Sequence, residues 1–144
     1  MTHTVGIFVF DAVEVLDFAG PYEVFTTVSR MQARIDADVP PFFDVVTVGW
    51  TASPLRARAG LLDAKQATTH WEDIDDFTAM FPSVELQTNQ RWVDQGSIVT
   101  SAGISAGIDM SLHLVERLAG RGLAERTARQ MEWERTGNTL TGAG

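Results

Sequence analysis

Residues 5–25 read VGIFVFDAVEVLDFAGPYEVF, and this stretch decides the fold. Val5 to Phe10 is a short, nearly all-apolar run. It predicts a strand covered on both faces, as strands of a parallel sheet are. Asp11 then turns the chain toward Leu16-Asp17-Phe18-Ala19-Gly20-Pro21. A proline lacks the N–H that a helix interior needs, so Pro21 belongs in a first helical turn. That puts Asp17 at a helix N-terminus. From there Phe18, Tyr22, Phe25, Val28 and Met31 or Ala33 keep helical spacing. The helix is expected to run to about Ala37, where Pro40-Pro41 stop it.

Outward from this start the pattern alternates. Phe42 to Trp50 (FFDVVTVGW) predicts a second strand, and Pro54 to Ala59 a short edge extension. Ala67-Thr68-Thr69 predicts another short strand, and Glu72 to Met80 a helix with Ile74, Phe77 and Met80 on one side. Val84 to Gln87 and Trp92-Val93 alternate like strands. Asp94-Gln95-Gly96 predicts a hairpin turn into Ile98-Val99-Thr100. A helix follows Ser101-Ala102-Gly103, with Ile104, Ile108, Leu112, Val115 and Leu118 or Ala119 as its apolar stripe and Gly120 closing it. Leu123 to Arg135 predicts a last helix, and Thr136 to Gly144 a disordered tail. The order predicts an α/β layered domain, with a mostly parallel sheet flanked by helices.

Composition narrows the function classes. The 144 residues make one domain's worth of chain, 44% hydrophobic. Nineteen acidic residues against eleven basic ones leave a net charge of −8. That balance opposes a phosphate-gripping surface, so nucleic acid is not an expected partner. The chain has no cysteine. It therefore cannot supply a disulfide, a zinc–thiolate site or a thiol nucleophile. The start lacks a basic region and a cleavage pattern, and no apolar stretch reaches membrane-spanning length. The expected location is cytoplasmic, with no membrane partner, no cofactor and no metal.

Three positions are candidates for chemistry. Asp17 follows the first strand, where ligands bind beyond the carboxyl ends of open α/β sheets. It can serve as acid or base, or simply satisfy the N–H groups of a helix start. His70 sits at a strand-to-helix junction before Trp71, as a general base, a hydrogen-bond donor or a structural cap. Ser101 to Gly107 (SAGISAG) is a small-residue loop opening a helix. Its N–H groups can face an anion or oxyanion, with Ser101, Gly103, Ile104 and Ser105 as substrate-binding positions. The other reading is close helix-to-sheet packing. Asp109 and His113 stand at the spacing of a helix-surface pair. Glu72, Asp73, Asp75 and Asp76 lack calcium-loop spacing and read as a solvated face. Trp50, Trp71, Trp92 and Trp133 are too scattered for a stacking platform.

Together these segments resemble the ThiJ/PfpI superfamily, of the class I glutamine amidotransferase-like fold, and within it the isonitrile hydratase group. The resemblance rests on Glu14-Val15-Leu16-Asp17-Phe18-Ala19-Gly20-Pro21-Tyr22-Glu23-Val24-Phe25 and Leu61-Leu62-Asp63. It continues through Ala67-Thr68-Thr69-His70-Trp71, Arg91-Trp92-Val93-Asp94, Val99 to Met110, and Ala128-Arg129-Gln130-Met131-Glu132. It implies a flavodoxin-like sheet, a homodimer, a small-molecule substrate, and hydration of isonitriles to N-substituted formamides through a cysteine thiolate. A carboxylate resembling Asp17 lies beside that thiol in the family.

The chain departs from the family in one block. Family members carry further strands and helices between the arm resembling Leu55 to Gly60 and the segment resembling Leu61-Leu62-Asp63. One of those strands ends in the nucleophile elbow with the cysteine. Here Gly60 runs directly into Leu61. The expectation is an internal deletion at Gly60–Leu61, one domain over residues 1–135, and a catalytically inactive protein. A related group joins this domain to a helix-turn-helix of the arabinose-regulator type, which makes a non-catalytic ligand-binding or regulatory module the alternative. Because the chain ends soon after Met131 to Glu134, the stand-alone form is the expected one.

Overall fold

A computed structural model describes residues 1–9, 15–49 and 62–140. The edge extension at Pro54 to Ala59, Trp50 and the Gly60–Leu61 join lie outside the described residues. The chain divides into two compact units, Met1–Thr51 with Ser111–Arg135, and Ala52–Met110 with Thr136–Gly144.

The first unit is built on a strand–helix–strand crossover. β1 (His3–Val9) and β2 (Phe43–Gly49) pair in parallel, from His3 opposite Phe43 to Val9 opposite Gly49. The helix between them, α1 (Val15–Ile35), supplies the long connection that parallel strands require. Val24, Phe25 and Val28 are buried in it, and Phe25 meets Phe43 edge-on with ring centroids 4.9 Å apart. Ser29 fastens the helix to the start of β2. Its hydroxyl donates to the Phe43 carbonyl at 2.8 Å and accepts from the Phe43 N–H at 3.2 Å.

Two expectations about α1 are corrected. The helix begins at Val15, so Pro21 is inside it and not in its first turn. Pro21 has no N–H to offer the Asp17 carbonyl one turn earlier, yet it is buried and tolerated. The buried stripe is also rotated from the expected one. It runs through Pro21, Val24, Phe25 and Val28, whereas Tyr22 is 38% exposed.

The rest of this unit comes from the C-terminal helices. α3 (Ile104–Ala119) contributes Leu112 and Val115, and α4 (Arg121–Gln130) contributes Ala124, Thr127 and Ala128, all buried. Alanines on the buried face let α4 lie close against α1. Gly120 links α3 to α4 at φ +89°, ψ 156°, a conformation nearly closed to other residues. α4 stops at Gln130, short of the expected Arg135. Glu132 adopts φ +52°, and its N–H bonds the Arg129 carbonyl at 3.1 Å while the Trp133 N–H bonds the Ala128 carbonyl at 2.9 Å. These two bonds form a Schellman motif, which satisfies the last carbonyls and ends the helix.

The second unit holds shorter elements. β3 (Gln66–Ala67) pairs in parallel with β4 (Glu85–Leu86). Between them a 3-10 turn, Trp71–Asp73, leads into α2 (Ile74–Met80). β5 (Trp92–Asp94) and β6 (Val99–Ser101) form an antiparallel hairpin. The expected turn is there. Gly96 sits at φ +79°, and its N–H is held at 2.8 Å by the Asp94 carboxylate. β3 lies against both hairpin strands, and the Thr68 N–H donates to the Thr100 hydroxyl at 3.0 Å.

Residues 136–140 are not free. The Asn138 carbonyl accepts from Arg91 N–H at 2.7 Å, its side chain from Trp92 N–H at 2.9 Å, and Leu140 N–H donates to Asn89 at 3.0 Å. Polar composition suggested a disordered tail, but residues 138 and 140 find these partners in the segment from Asn89 to Trp92 that leads into β5. Residues 141–144 lie outside the described ones. No described helix is long and apolar enough to cross a membrane.

Candidate functional site

The second unit brings together His70, Gly103 and the start of α3. His70 ends the extended segment after β3, at φ −60°, ψ 146°, just before the 3-10 turn. Its side chain caps no backbone group. The ring instead lies against the backbone of Gly103. A Cβ added at Gly103 would stand 3.2 Å from His70 Cδ2 and 3.8 Å from Nε2. Any larger residue would displace the imidazole, so the glycine sets how closely the ring approaches. The other edge of the ring faces Glu72, with Nδ1 3.9 Å from Oε2. His70 therefore presents the Cδ2–Nε2 edge toward the strand-to-helix loop. Trp71 stacks obliquely beside it, ring centroids 5.6 Å apart, but is itself largely exposed.

The loop runs from Ser101, the last residue of β6, to Ile104, the first of α3. The Ala102 N–H donates to the Arg91 carbonyl at 2.8 Å, and the Gly103 carbonyl accepts from Ala106 and Gly107 at 3.0 and 3.2 Å. The first N–H groups of a helix have no partner within it. At Gly103, Ile104 and Ser105 they form an electropositive rim beside His70. The sequence-derived binding positions are thus neighbours of the sequence-derived histidine.

Beneath the rim lies a buried ion pair that the sequence reading did not single out. Asp109 is 2% exposed and Arg91 15%. Asp109 Oδ2 accepts from Arg91 Nε at 3.1 Å, from Arg91 Nη2 at 2.7 Å and from the Thr136 hydroxyl at 2.8 Å. The same Nη2 donates to the Ser105 hydroxyl at 3.3 Å. Arg91 thereby ties β5 to the first turn of α3 and fixes Ser105. The surface setting expected for Asp109 beside His113 is corrected, because Asp109 is a core carboxylate. Arg91-Trp92-Val93-Asp94 and Asp109 both stand among the residues that carry the family resemblance.

Asp17 belongs to the first unit. It is an exposed carboxylate in the first turn of α1, where a negative charge is favoured by the helix dipole. Among the described residues no group of three His, Asp or Glu side chains converges on a metal-sized point.

No family model matches the chain. Among curated proteins, the HTH-type transcriptional regulator CdhR of Pseudomonas aeruginosa is 40% identical over 87 residues, 59% of this chain and 26% of the regulator. Isonitrile hydratase of Pseudomonas putida is 37% identical over 89 residues, 61% of this chain and 37% of that enzyme. The chain thus spans well under half the length of either relative. A ThiJ/PfpI family protein from Pseudomonas syringae superposes on all of this chain and 80% of its own, with a TM-score of 0.72 at 16% identity. The chain has the flavodoxin-like fold of the ThiJ/PfpI proteins and is, over part of its length, a homologue of isonitrile hydratase and of an HTH-type regulator.

Proposed function

We propose that this chain is a small-molecule-binding module of ThiJ/PfpI type that retains a ligand site and has lost covalent turnover. One observation carries the reading: a chain of 144 residues without a cysteine still keeps His70 pressed against Gly103 at the open start of α3. Thiolate attack, as in the isonitrile hydratase group, has no atom here to perform it. Serine and threonine hydroxyls are poor nucleophiles without an elbow and an activating base. Binding needs only what remains. The N–H groups at Gly103, Ile104 and Ser105 offer donors to an acceptor atom, and His70 Nε2 offers a polar edge beside them. A ligand with a carbonyl-like or anionic head suits that pairing. The homology to a transcriptional regulator is consistent with ligand sensing, and the deletion expected at Gly60–Leu61 would account for the missing thiol-bearing segment.

The test is a pair of assays on the purified chain. Thermal melts across a panel of small amides, carboxylates and isonitriles are expected to show a saturable rise with at least one, lost in His70→Ala. Formamide production from an alkyl isonitrile is expected to stay at the buffer rate. Turnover that disappears in Asp17→Asn would overturn the non-catalytic reading and restore the hydratase one. Size-exclusion chromatography beside the melts tests the expected homodimer.

A further inference from the structure

We propose that the cleft between α1 and α4 is a second ligand site, one that takes a small anion of the carboxylate or phosphate class. It uses none of the residues of the site above. The cleft measures about 220 Å³ and is lined by Thr27, Arg30, Met31, Arg34 and Gln130. Arg30 and Arg34 are one helical turn apart on α1, so two guanidinium groups share one wall. Like charges at this spacing repel. Only Arg30 is answered: its Nη2 donates to the Glu23 carboxylate and to the Thr27 hydroxyl, which itself donates to Glu23 at 3.0 Å. Thr27 is buried, so this small network holds the Arg30 head in place. Among the described residues Arg34 has no carboxylate partner.

Position in the last turn of α1 explains a cation at residue 34, because the helix dipole favours one there. It does not explain why that cation meets a second guanidinium, a buried hydroxyl and the Gln130 amide around one cavity. An anion does. Guanidinium forks match carboxylate and phosphate oxygens, and each arginine has donors beyond Nη2 to give. Size limits the class. Pockets for drug-sized ligands run to about 300–1,000 Å³, so this one suits an anion of a few heavy atoms. The Met31 side chain adds an apolar wall suited to a short carbon chain. The net charge of −8 repels anions in general, so saturable binding would report this local cleft and not the surface as a whole.

The experiment is calorimetric titration of the full chain at neutral pH and fixed ionic strength, with succinate and, separately, with inorganic phosphate. One of them is expected to bind saturably at one site per chain. Arg34→Ala is expected to weaken it about tenfold or more, the loss of one charge-assisted contact. Arg34 is exposed, so this variant keeps the fold, which circular dichroism checks. Arg121→Ala, outside the cleft, is expected to bind as the parent does. Preference for succinate assigns a carboxylate ligand and preference for phosphate a phosphorylated one, and either supports the site. Absence of saturable binding by both anions, or equal binding by Arg34→Ala, overturns it.

Discussion

Replacing Arg91 with methionine tests whether the ion pair beneath α3 organises the candidate site. The Asp109 carboxylate is nearly sealed from solvent, and Arg91 gives it two hydrogen bonds, at 3.1 and 2.7 Å. Hydrogen bonds to a charged group are each worth about 1.5–3 kcal/mol, so the two together amount to about 3–6 kcal/mol. Removing one partner of a buried pair costs about 3–5 kcal/mol by the independent precedent of such pairs. The two routes agree. For a chain of this size, about 2–4 °C of melting temperature go with each kcal/mol, so Arg91→Met should melt about 6–20 °C lower. Urea denaturation gives the free energy directly. The companion change Asp109→Leu should recover part of the loss, because a buried carboxylate deprived of the Arg91 guanidinium is what makes the single variant costly. A fall of less than about 1 kcal/mol in Arg91→Met would place the pair with ordinary surface ion pairs and refute the reasoning.

Four further outcomes are expected. Gly103→Ala should shift the His70 ring, read as a change in its imidazole proton resonances, and weaken ligand binding while leaving stability within about 1–3 kcal/mol, the usual cost of overpacking. Glu132→Gly should stabilise the chain by about 0.5–1 kcal/mol in urea, because the left-handed conformation at the end of α4 disfavours any residue with a Cβ. Gly120→Ala should cost about 1–3 kcal/mol for the same reason, because it adds a Cβ at φ +89°. The Glu116 carboxyl is held below its ordinary value near 4.5, first by the hydrogen bond from Arg135, against a smaller opposing effect of burial, and then by the charges of Arg135, Arg121 and His113. A depressed carboxyl stabilises the fold above its unfolded value and loses that contribution as pH falls through the folded value. Parent and Glu116→Gln stabilities should therefore converge as pH is lowered below about 4.5, seen in parallel acid titrations.

What the sequence disclosed and what it withheld divide along physical lines. Local signals were readable where one interaction dominates. The apolar run from Val5 to Val9 lies in β1, Asp94-Gln95-Gly96 gives the hairpin, and Gly120 ends α3. The proline rule failed at Pro21, because burial of the α1 face outweighs one missing backbone hydrogen bond. The end of α4 was missed because a Schellman motif with glutamate in place of glycine has no compositional mark. The burial of Asp109 was missed for a related reason. Spacing along a helix can name a local neighbour such as His113, but not Arg91, eighteen residues back in the chain, which also holds the carboxylate. The candidate site lies between these cases. His70 and the loop at Ser101 to Ser105 were each visible as residue types at element junctions, where α/β folds place their ligands. Their meeting was not visible, because nothing in the pattern of residues 70 and 103 says that one stands over the other. That meeting depends on β3 lying against the β5–β6 hairpin, which brings the end of one strand beside the end of another. A glycine at 103 then does what no side chain could, leaving room for the imidazole. The proposed ligand site therefore rests on a tertiary contact, and perturbing Gly103 probes it more directly than perturbing His70 itself.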